Sequence, residues 1–325
     1  METHAGTPPR PCSPAGARSA SGTTLEIPMS DNARTAAVPA AAPTRSATGK
    51  VWLITGANSG FGQAITRAAL AAGDTVVAAV RRPESLDELA AAHPGRVVPV
   101  ALDVTDPARI TAVVAEVILW YGRIDVLVNN AGRGQLGAVE ETTDRELRDL
   151  MDLHFFGPAA LTRAVLPHMR RQGSGAVVQM SSMGGRFSFP GVGAYSATKF
   201  ALEGLSEALA LEVAPHGIKV LVVEPGAFRT GFAGGGALQQ SAPLDAYEET
   251  VGPVRAGLPD SDGKQPGDPE KAAAAILTAL AAEQTPLRLA LGNDAADAIA
   301  TQLKSAGEEA AAWEAVSRGT DFDEE

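Results

Sequence analysis

The 325-residue chain contains one cysteine, Cys12, and five histidines without close ligand spacing. A lone thiol excludes a disulfide framework and leaves no cysteine-based metal or nucleophile site. Long apolar runs are missing as well. None approaches the roughly eighteen residues a membrane-crossing helix needs. Positive charge is scarce: 27 Lys and Arg stand against 38 Asp and Glu, a formal net charge of −11. The isolated pairs Arg81-Arg82 and Arg170-Arg171 make no basic face, which argues against a nucleic-acid partner. Aromatic residues are 5% of the chain, and residues 1–48 have none. That stretch, rich in Ala, Pro, Thr, Ser and Gly, cannot bury enough apolar surface to offset its ordering entropy, and it is predicted to be disordered. It has no apolar core for a secretory signal. The internal Met29 raises the alternative that translation starts there. A reduced, cytoplasmic compartment fits these absences best.

What is present is 45% apolar, enough for one large α/β domain, expected over residues 49–318 and followed by an acidic end at 319–325. Val51-Trp52-Leu53-Ile54 reads as a strand buried on both faces. It runs into Thr55-Gly56-Ala57-Asn58-Ser59-Gly60-Phe61-Gly62 and then an Ala-rich helical stretch. Glycines at 56, 60 and 62 allow a tight turn and close backbone approach. The helix start behind them offers N–H groups and a positive dipole end to a pyrophosphate. Glycine clusters also mark ordinary turns, and the strand–turn–helix context gives this one its weight.

Further strands are expected at 75–80, 97–102, 124–128, 176–180, 218–223 and 286–291, with helices between them. Asp106-Pro107 caps a helix running to about Tyr121, and Asp268-Pro269 opens another through about Ala282. A closing helix is expected from Asn293 to Ser317. Alternation of this kind predicts a doubly wound, Rossmann-type, mostly parallel seven-stranded sheet with helices on both faces and its ligand at the strands' carboxyl ends. The second strand ends at Val80-Arg81. Arginine there suits the 2′-phosphate of NADP(H) rather than the 2′-hydroxyl of NAD(H), since the nearby acid, Asp74, lies at the strand's other end. Asp103 ends the third strand, along the expected adenine edge. Asn129-Asn130-Ala131-Gly132 follows the fourth, where small and amide residues suit a backbone packed on a ligand.

Tyr195 and Lys199 are four apart at the start of a helix, so they share a face. An ammonium beside a phenol favours phenolate; lowering the usual pKa of ~10 by two or three units needs roughly 3–4 kcal/mol. That would bring the phenol toward the range of a general acid. Ser182, thirteen residues earlier, ends an apolar run and could reach the same spot. Alone, a Tyr-x-x-x-Lys match is usually a surface tyrosine and a solvated lysine.

Together these motifs closely resemble the short-chain dehydrogenase/reductase family, in its compact single-domain branch: Thr55-Gly-Ala-Asn-Ser-Gly-Phe-Gly62, Asn129-Asn-Ala-Gly132, Ser182, Tyr195-Ser-Ala-Thr-Lys199 and Pro225-Gly226, in the family's order and spacing. The resemblance is strong over residues 50–230 and looser beyond. It implies that Tyr195 exchanges a proton with the substrate oxygen, that Lys199 lowers its pKa and binds the nicotinamide ribose, and that Ser182 hydrogen-bonds the substrate. It places Gly56, Ser59, Gly60, Phe61 and Gly62 along the diphosphate and Asp103, Val104 and Asn129 near the adenosine. Ala131 and Gly132 lie along the cofactor, and Pro225, Gly226 and Thr230 flank the nicotinamide. Homodimers and homotetramers are common in the family. One departure stands out: where the family's tetrad usually has an Asn, this chain has His154. That position acts chiefly through its backbone in the family. The imidazole is expected either to relay protons or to fill a half-buried helix position.

Residues 228–268, rich in Gly, Pro and acids, are expected to form a substrate lid containing short helices. Arg133, Gln135, Met183, Phe187, Phe189, Phe228 and Phe232 are the expected pocket residues, an apolar lining suited to a medium-sized ketone or secondary alcohol. Two other readings compete. A nucleotide-binding regulator without turnover would have lost Tyr195 or Lys199, and both are present. A methyltransferase on a similar sheet would have no need of the Ser–Tyr–Lys arrangement.

Overall fold

Seven apolar runs assemble into one parallel sheet whose central strands are buried on both faces, which leaves them no polar side for water. The computed structural model describes residues 47, 49–234 and 236–322. The expectations for residues 1–48, Ala47 apart, and for the last three residues lie outside them. The strands are β1 (Val51–Thr55), β2 (Thr75–Val80), β3 (Val97–Ala101), β4 (Val126–Asn129), β5 (Gly134–Leu136), β6 (Gly175–Met180), β7 (Ile218–Pro225), β8 (Leu238–Gln240) and β9 (Arg288–Leu291). The large sheet has the order β3-β2-β1-β4-β6-β7-β9, and every pairing in it is parallel. The strand order reverses between β1 and β4. That reversal opens the crevice in which doubly wound sheets take their ligands.

The helices are α1 (Gly60–Ala71), α2 (Asp87–Ala92), α3 (Pro107–Tyr121), α4 (Asp144–Met151), α5 (Gly157–Gln172), α6 (Gly193–Val213), α7 (Gly252–Asp260), α8 (Pro269–Ala281), α9 (Asn293–Ala312) and α10 (Glu314–Arg318). Successive strand residues alternate between two cores, as the two-residue strand period requires. Trp52 and Ile54 of β1 join Ile65 of α1 and Ile276 of α8 on one side. Val51 and Leu53 join Val113 of α3, Val165 of α5 and Leu209 of α6 on the other. The expected caps are in place. Asp106 accepts from the N–H groups of Ala108 and Arg109 at 3.0 Å, and Asp268 accepts from Glu270 at 2.9 Å. The closing helix breaks at Trp313, between α9 and α10. No helix among the described residues is long and apolar enough to cross a membrane.

The short parallel pair β5–β8 has no counterpart in the sequence reading. Three-residue strands carry too little periodicity to be seen. The pair ties the 228–268 stretch to the loop after β4, and the buried Glu141 carboxylate adds a second tie by accepting from Arg255 at 2.7 Å and from the Leu244 N–H at 2.8 Å. That stretch holds one helix, α7, and a 3-10 turn at Asp245–Tyr247.

Asp74 lies at the amino end of β2, where it accepts from the Lys50 N–H and from the Trp52 indole N–H, both at 2.8 Å. It is therefore a fastener of β1, remote from the end of β2 that faces the crevice. Replacing it, Asp74→Ala, leaves a buried indole N–H unpaired and should lower the unfolding free energy by about 1–3 kcal/mol in urea titrations. An unchanged midpoint would show that the indole is satisfied elsewhere.

Candidate active site

The glycine turn between β1 and α1 is built by close approach. Gly56 and Gly60 have φ of +64° and +49°, a region in which a side chain is strained. At Gly62 φ is not the constraint; a Cβ there would lie 2.2 Å from the Gly56 carbonyl oxygen. Asn130 holds this turn from the far side of the crevice. Its amide donates to the carbonyls of Thr55 and Gly56, at 2.8 and 3.2 Å. The Thr55 hydroxyl accepts in return from the N–H groups of Asn130 and Ala131. Ser59, at the N-cap of α1, makes no side-chain cap, so the first-turn N–H groups stand open to an anionic ligand. This cradle, held free of Cβ atoms beside an uncapped twelve-residue helix, fits a dinucleotide diphosphate.

Arg81 is exposed at the tip of β2. The Asp103 carboxylate, after β3, is held below its usual range chiefly by the Thr105 N–H, with the Thr105 hydroxyl and Arg81 adding to it. Arg81 and Asp103 thus border one patch. Three expected cofactor residues turn their side chains away from the crevice. Val104 is buried in the α3/α5 core, and Phe61 stacks on Phe228 with ring centroids 5.0 Å apart. The Asn129 amide points inward to Gln179 at 2.9 Å and Thr162 at 3.3 Å. Any cofactor contact these three make would run through the main chain. Further along the crevice, Pro225 closes β7, Gly226 follows it, and Thr230 packs against Gly60.

Ser182 lies just after β6, and Tyr195 and Lys199 lie in the first two turns of α6. Gly184 brings them together, since a Cβ at that residue would lie 3.4 Å from Ser182 Oγ and 3.6 Å from Tyr195 Cε1. The expectation of a phenol pulled down by Lys199 is corrected. Burial pushes Tyr195 up to about 12, with the Ser182 hydroxyl acting in the opposite direction. The Lys199 ammonium, 5.5 Å from the Tyr195 ring centroid, donates to the Met180 carbonyl at 2.8 Å. Burial pushes Lys199 itself down to about 8, opposed by Glu203. Desolvation outweighs the charge–charge attraction that helical spacing alone suggests.

His154 is fully buried on a π-helical turn, Asp152–Phe156, joining α4 to α5. Its Nε2 accepts from the Arg133 N–H at 3.1 Å, and its Nδ1 is 3.0 Å from Thr198 Oγ1. The Thr198 hydroxyl donates to the Tyr195 carbonyl at 2.7 Å, so toward His154 it accepts, and Nδ1 carries the proton. A main-chain N–H can only donate, which fixes Nε2 as unprotonated. Burial, with Lys199 and Arg133 nearby, holds the imidazole well below its usual pKa. His154 is a neutral clamp between the loop after β4 and α6. Both nitrogens are engaged, which leaves no room for the proton relay admitted by the sequence.

The expected pocket divides. Phe232 stacks edge-on against Tyr195, centroids 5.6 Å apart, while Met183, Phe187 and Phe189 are half-buried or exposed on the segment after β6. Arg133 is half-buried and donates to Gln135 at 2.8 Å. Gln135 is itself buried and donates to Ser241 at 3.0 Å. Phe228 is core. Gln135 and Phe228 therefore leave the pocket, because burial claims their side chains. Asn130 and Thr198 were missed: each sits inside a recognised motif, and nothing in the sequence separates Asn130 from Asn129.

A sequence model described as short chain dehydrogenase matches residues 50–239. An oxidoreductase of Botryotinia fuckeliana is 41% identical over 76% of this chain and 90% of its own length. A short-chain dehydrogenase of Streptomyces avermitilis, solved as a crystal structure, is 62% identical, with a TM-score of 0.80 over 84% of this chain and all of its own. A short chain dehydrogenase of Burkholderia cenocepacia, solved in complex with NADP, is 27% identical, with a TM-score of 0.64 over 81% of this chain and 97% of its own.

Because His154 is already neutral, no ionisation near pH ~6.5 should appear in a pH–rate profile on its account. His154→Asn, which keeps one donor and one acceptor, should retain turnover within tenfold. His154→Phe strands the Arg133 N–H and should lower stability by about 1–3 kcal/mol. A loss beyond tenfold in the Asn variant would give the imidazole a role of its own.

Proposed function

The chain belongs to the short-chain dehydrogenase family and is an NAD(P)-dependent oxidoreductase, and from that premise we propose that it transfers a hydride between NADP(H) and a carbonyl or secondary alcohol, with Tyr195 as acid and base. The observation that carries this reading is the meeting of Ser182, Tyr195 and Lys199 beside the glycine cradle, at the carboxyl edge of the sheet. In the reductive direction the Ser182 hydroxyl orients the substrate oxygen and Tyr195 donates the proton to it. A phenol that burial keeps protonated at neutral pH starts in the state that reduction requires. The Lys199 ammonium, still largely charged at pH 7 with its pKa of about 8, favours the phenolate left behind. The cofactor supplies the hydride; the protein orients and stabilises charge.

Arg81 at the end of β2, with Asp74 engaged at the opposite end, supports NADP(H) over NAD(H). Phe232 against Tyr195, with Met183, Phe187 and Phe189 nearby, supports a medium-sized apolar ketone or secondary alcohol. The 228–268 stretch, pinned by β8 and Arg255, acts as its cover.

NADPH oxidation measured against a panel of aldehydes and ketones tests the reaction. Tyr195→Phe should lower turnover by roughly 10²–10⁴-fold while leaving NADPH binding intact. Tight NADPH binding with no turnover on any carbonyl would favour a regulatory protein instead. Arg81→Ala should weaken NADPH at least tenfold more than NADH; equal weakening would remove the basis for the NADP preference.

A further inference from the structure

A cluster of charged side chains lies further along α6, beyond Lys199. Arg288 of β9 donates to Glu203 and Glu207 of α6 at 2.9 and 2.6 Å and lies 3.6 Å from Glu224 of β7. Arg186 donates to the same Glu224 at 3.0 Å. Glu203 and Glu224 are 4% and 1% exposed. Glu207 is exposed, so the buried part of the cluster sets Arg186 and Arg288 against Glu203 and Glu224.

Among the described residues, Lys199 borders this cluster without an ion-pair partner of its own. It is 6% exposed, its ammonium bonds a neutral carbonyl, that of Met180, and it makes no salt bridge within 4.0 Å among the described residues. Glu203 lies one turn further along α6, on the same face. One oxygen of Glu203 is held by Arg288, and the other, Oε1, is buried without a hydrogen-bond partner. The Ser181 hydroxyl, on the residue next to Met180, is likewise buried and unpartnered. A Cβ at Gly185 would lie 2.6 Å from Ser181 Oγ and 3.2 Å from Glu203 Oε1. The free carboxylate oxygen therefore sits by the same Met180–Ser181 junction that Lys199 grips.

We propose that Glu203 is a positioning residue for the reaction, the buried counter-ion that keeps Lys199 an ammonium while Tyr195 works. This rests on the catalytic reading of Tyr195 and Lys199. The other groups facing Lys199 do not serve. Tyr195 is a neutral phenol and His154 a neutral imidazole, while Ser181 offers a hydroxyl. Arg186 and Arg288 are cations that belong to the glutamates, and Glu224 is shared by both of them. Burial works against the charge on Lys199, and Glu203 is the group that opposes it.

The test is a pH titration of the full chain labelled with 13Cε-lysine, whose Cε shift follows amine ionisation. The chain has six lysines, and the Lys199 signal is identified by its loss in Lys199→Arg. Glu203→Gln should lower the Lys199 midpoint by about one unit, a tenfold change in the ammonium-to-amine ratio. Arg288→Gln, which strips Glu203 of its cation, should raise it. A merely structural role predicts a different pattern: both variants would loosen the core and move the midpoint up, toward the ordinary value near ~10.4. An unchanged or raised midpoint in Glu203→Gln overturns the proposal. Should that variant not fold, an unchanged or lowered midpoint in Arg288→Gln does so alone. In kcat/KM for carbonyl reduction, the loss of activity as pH rises should begin at lower pH in Glu203→Gln, with the rate near pH ~6 preserved. If the Lys199 midpoint shifts as expected but no carbonyl is turned over by the unsubstituted chain, the counter-ion stands and the catalytic reading falls.

Discussion

Every residue of β1 and β2 is buried, and a parallel sheet covered on both faces leaves its strands no solvent-facing side. The rest of the molecule follows from that constraint. Helices must cover both faces, so each strand is followed by a crossover, and the strands' carboxyl ends are gathered along one edge. The reversal of strand order between β1 and β4 opens that edge. The glycine turn, Asn130, Ser182 and the Pro225-Gly226 loop all emerge there.

Burial also sets the electrostatics of the catalytic helix. Tyr195 and Lys199 shift toward their neutral forms for the same reason, the loss of water around a charge. His154 is neutral by the same cause and is then held so by hydrogen bonds of fixed direction. In such surroundings a single carboxylate has leverage that it would lack at the surface. The charge cluster around Arg288 therefore bears on the chemistry although none of it enters the crevice. The imidazole and the carboxylate divide the support of α6 between them. His154 fixes where the helix sits against the loop after β4, and Glu203 bears on the charge of its lysine.

All seven strands of the large sheet could be read from apolar runs punctuated by Gly, Pro and Asp, since a doubly buried strand has a composition unlike any other element. The caps Asp106 and Asp268 were legible because capping is a local act between near neighbours in the chain. The order of Ser182, Tyr195 and Lys199 was equally plain. Interactions across long separations were not. The Glu141–Arg255 tie spans more than a hundred residues, and β5 and β8 are three residues each. Phe228 and Gln135 were assigned to the pocket because a phenylalanine or glutamine near a motif looks the same whether it faces the core or the crevice. Asn129 and Asn130 are adjacent and chemically identical; the pleat of β4 sends one inward and leaves the other to hold the turn.

The amino-acid sequence by itself determined the sheet, its doubly wound character, the glycine cradle and the order of Ser182, Tyr195 and Lys199 along the chain, because periodicity, turn chemistry and motif spacing are local properties of the chain. The protonation states of those residues were decided by the tertiary structure. A lysine four residues from a tyrosine reads as a depressed phenol pKa until the depth of burial is known, and burial is a property of the whole packed sheet. The same holds for His154. A histidine in a helix can relay a proton or hold a loop, and the choice fell to two distant partners, the Arg133 N–H and the Thr198 hydroxyl, which bond both ring nitrogens.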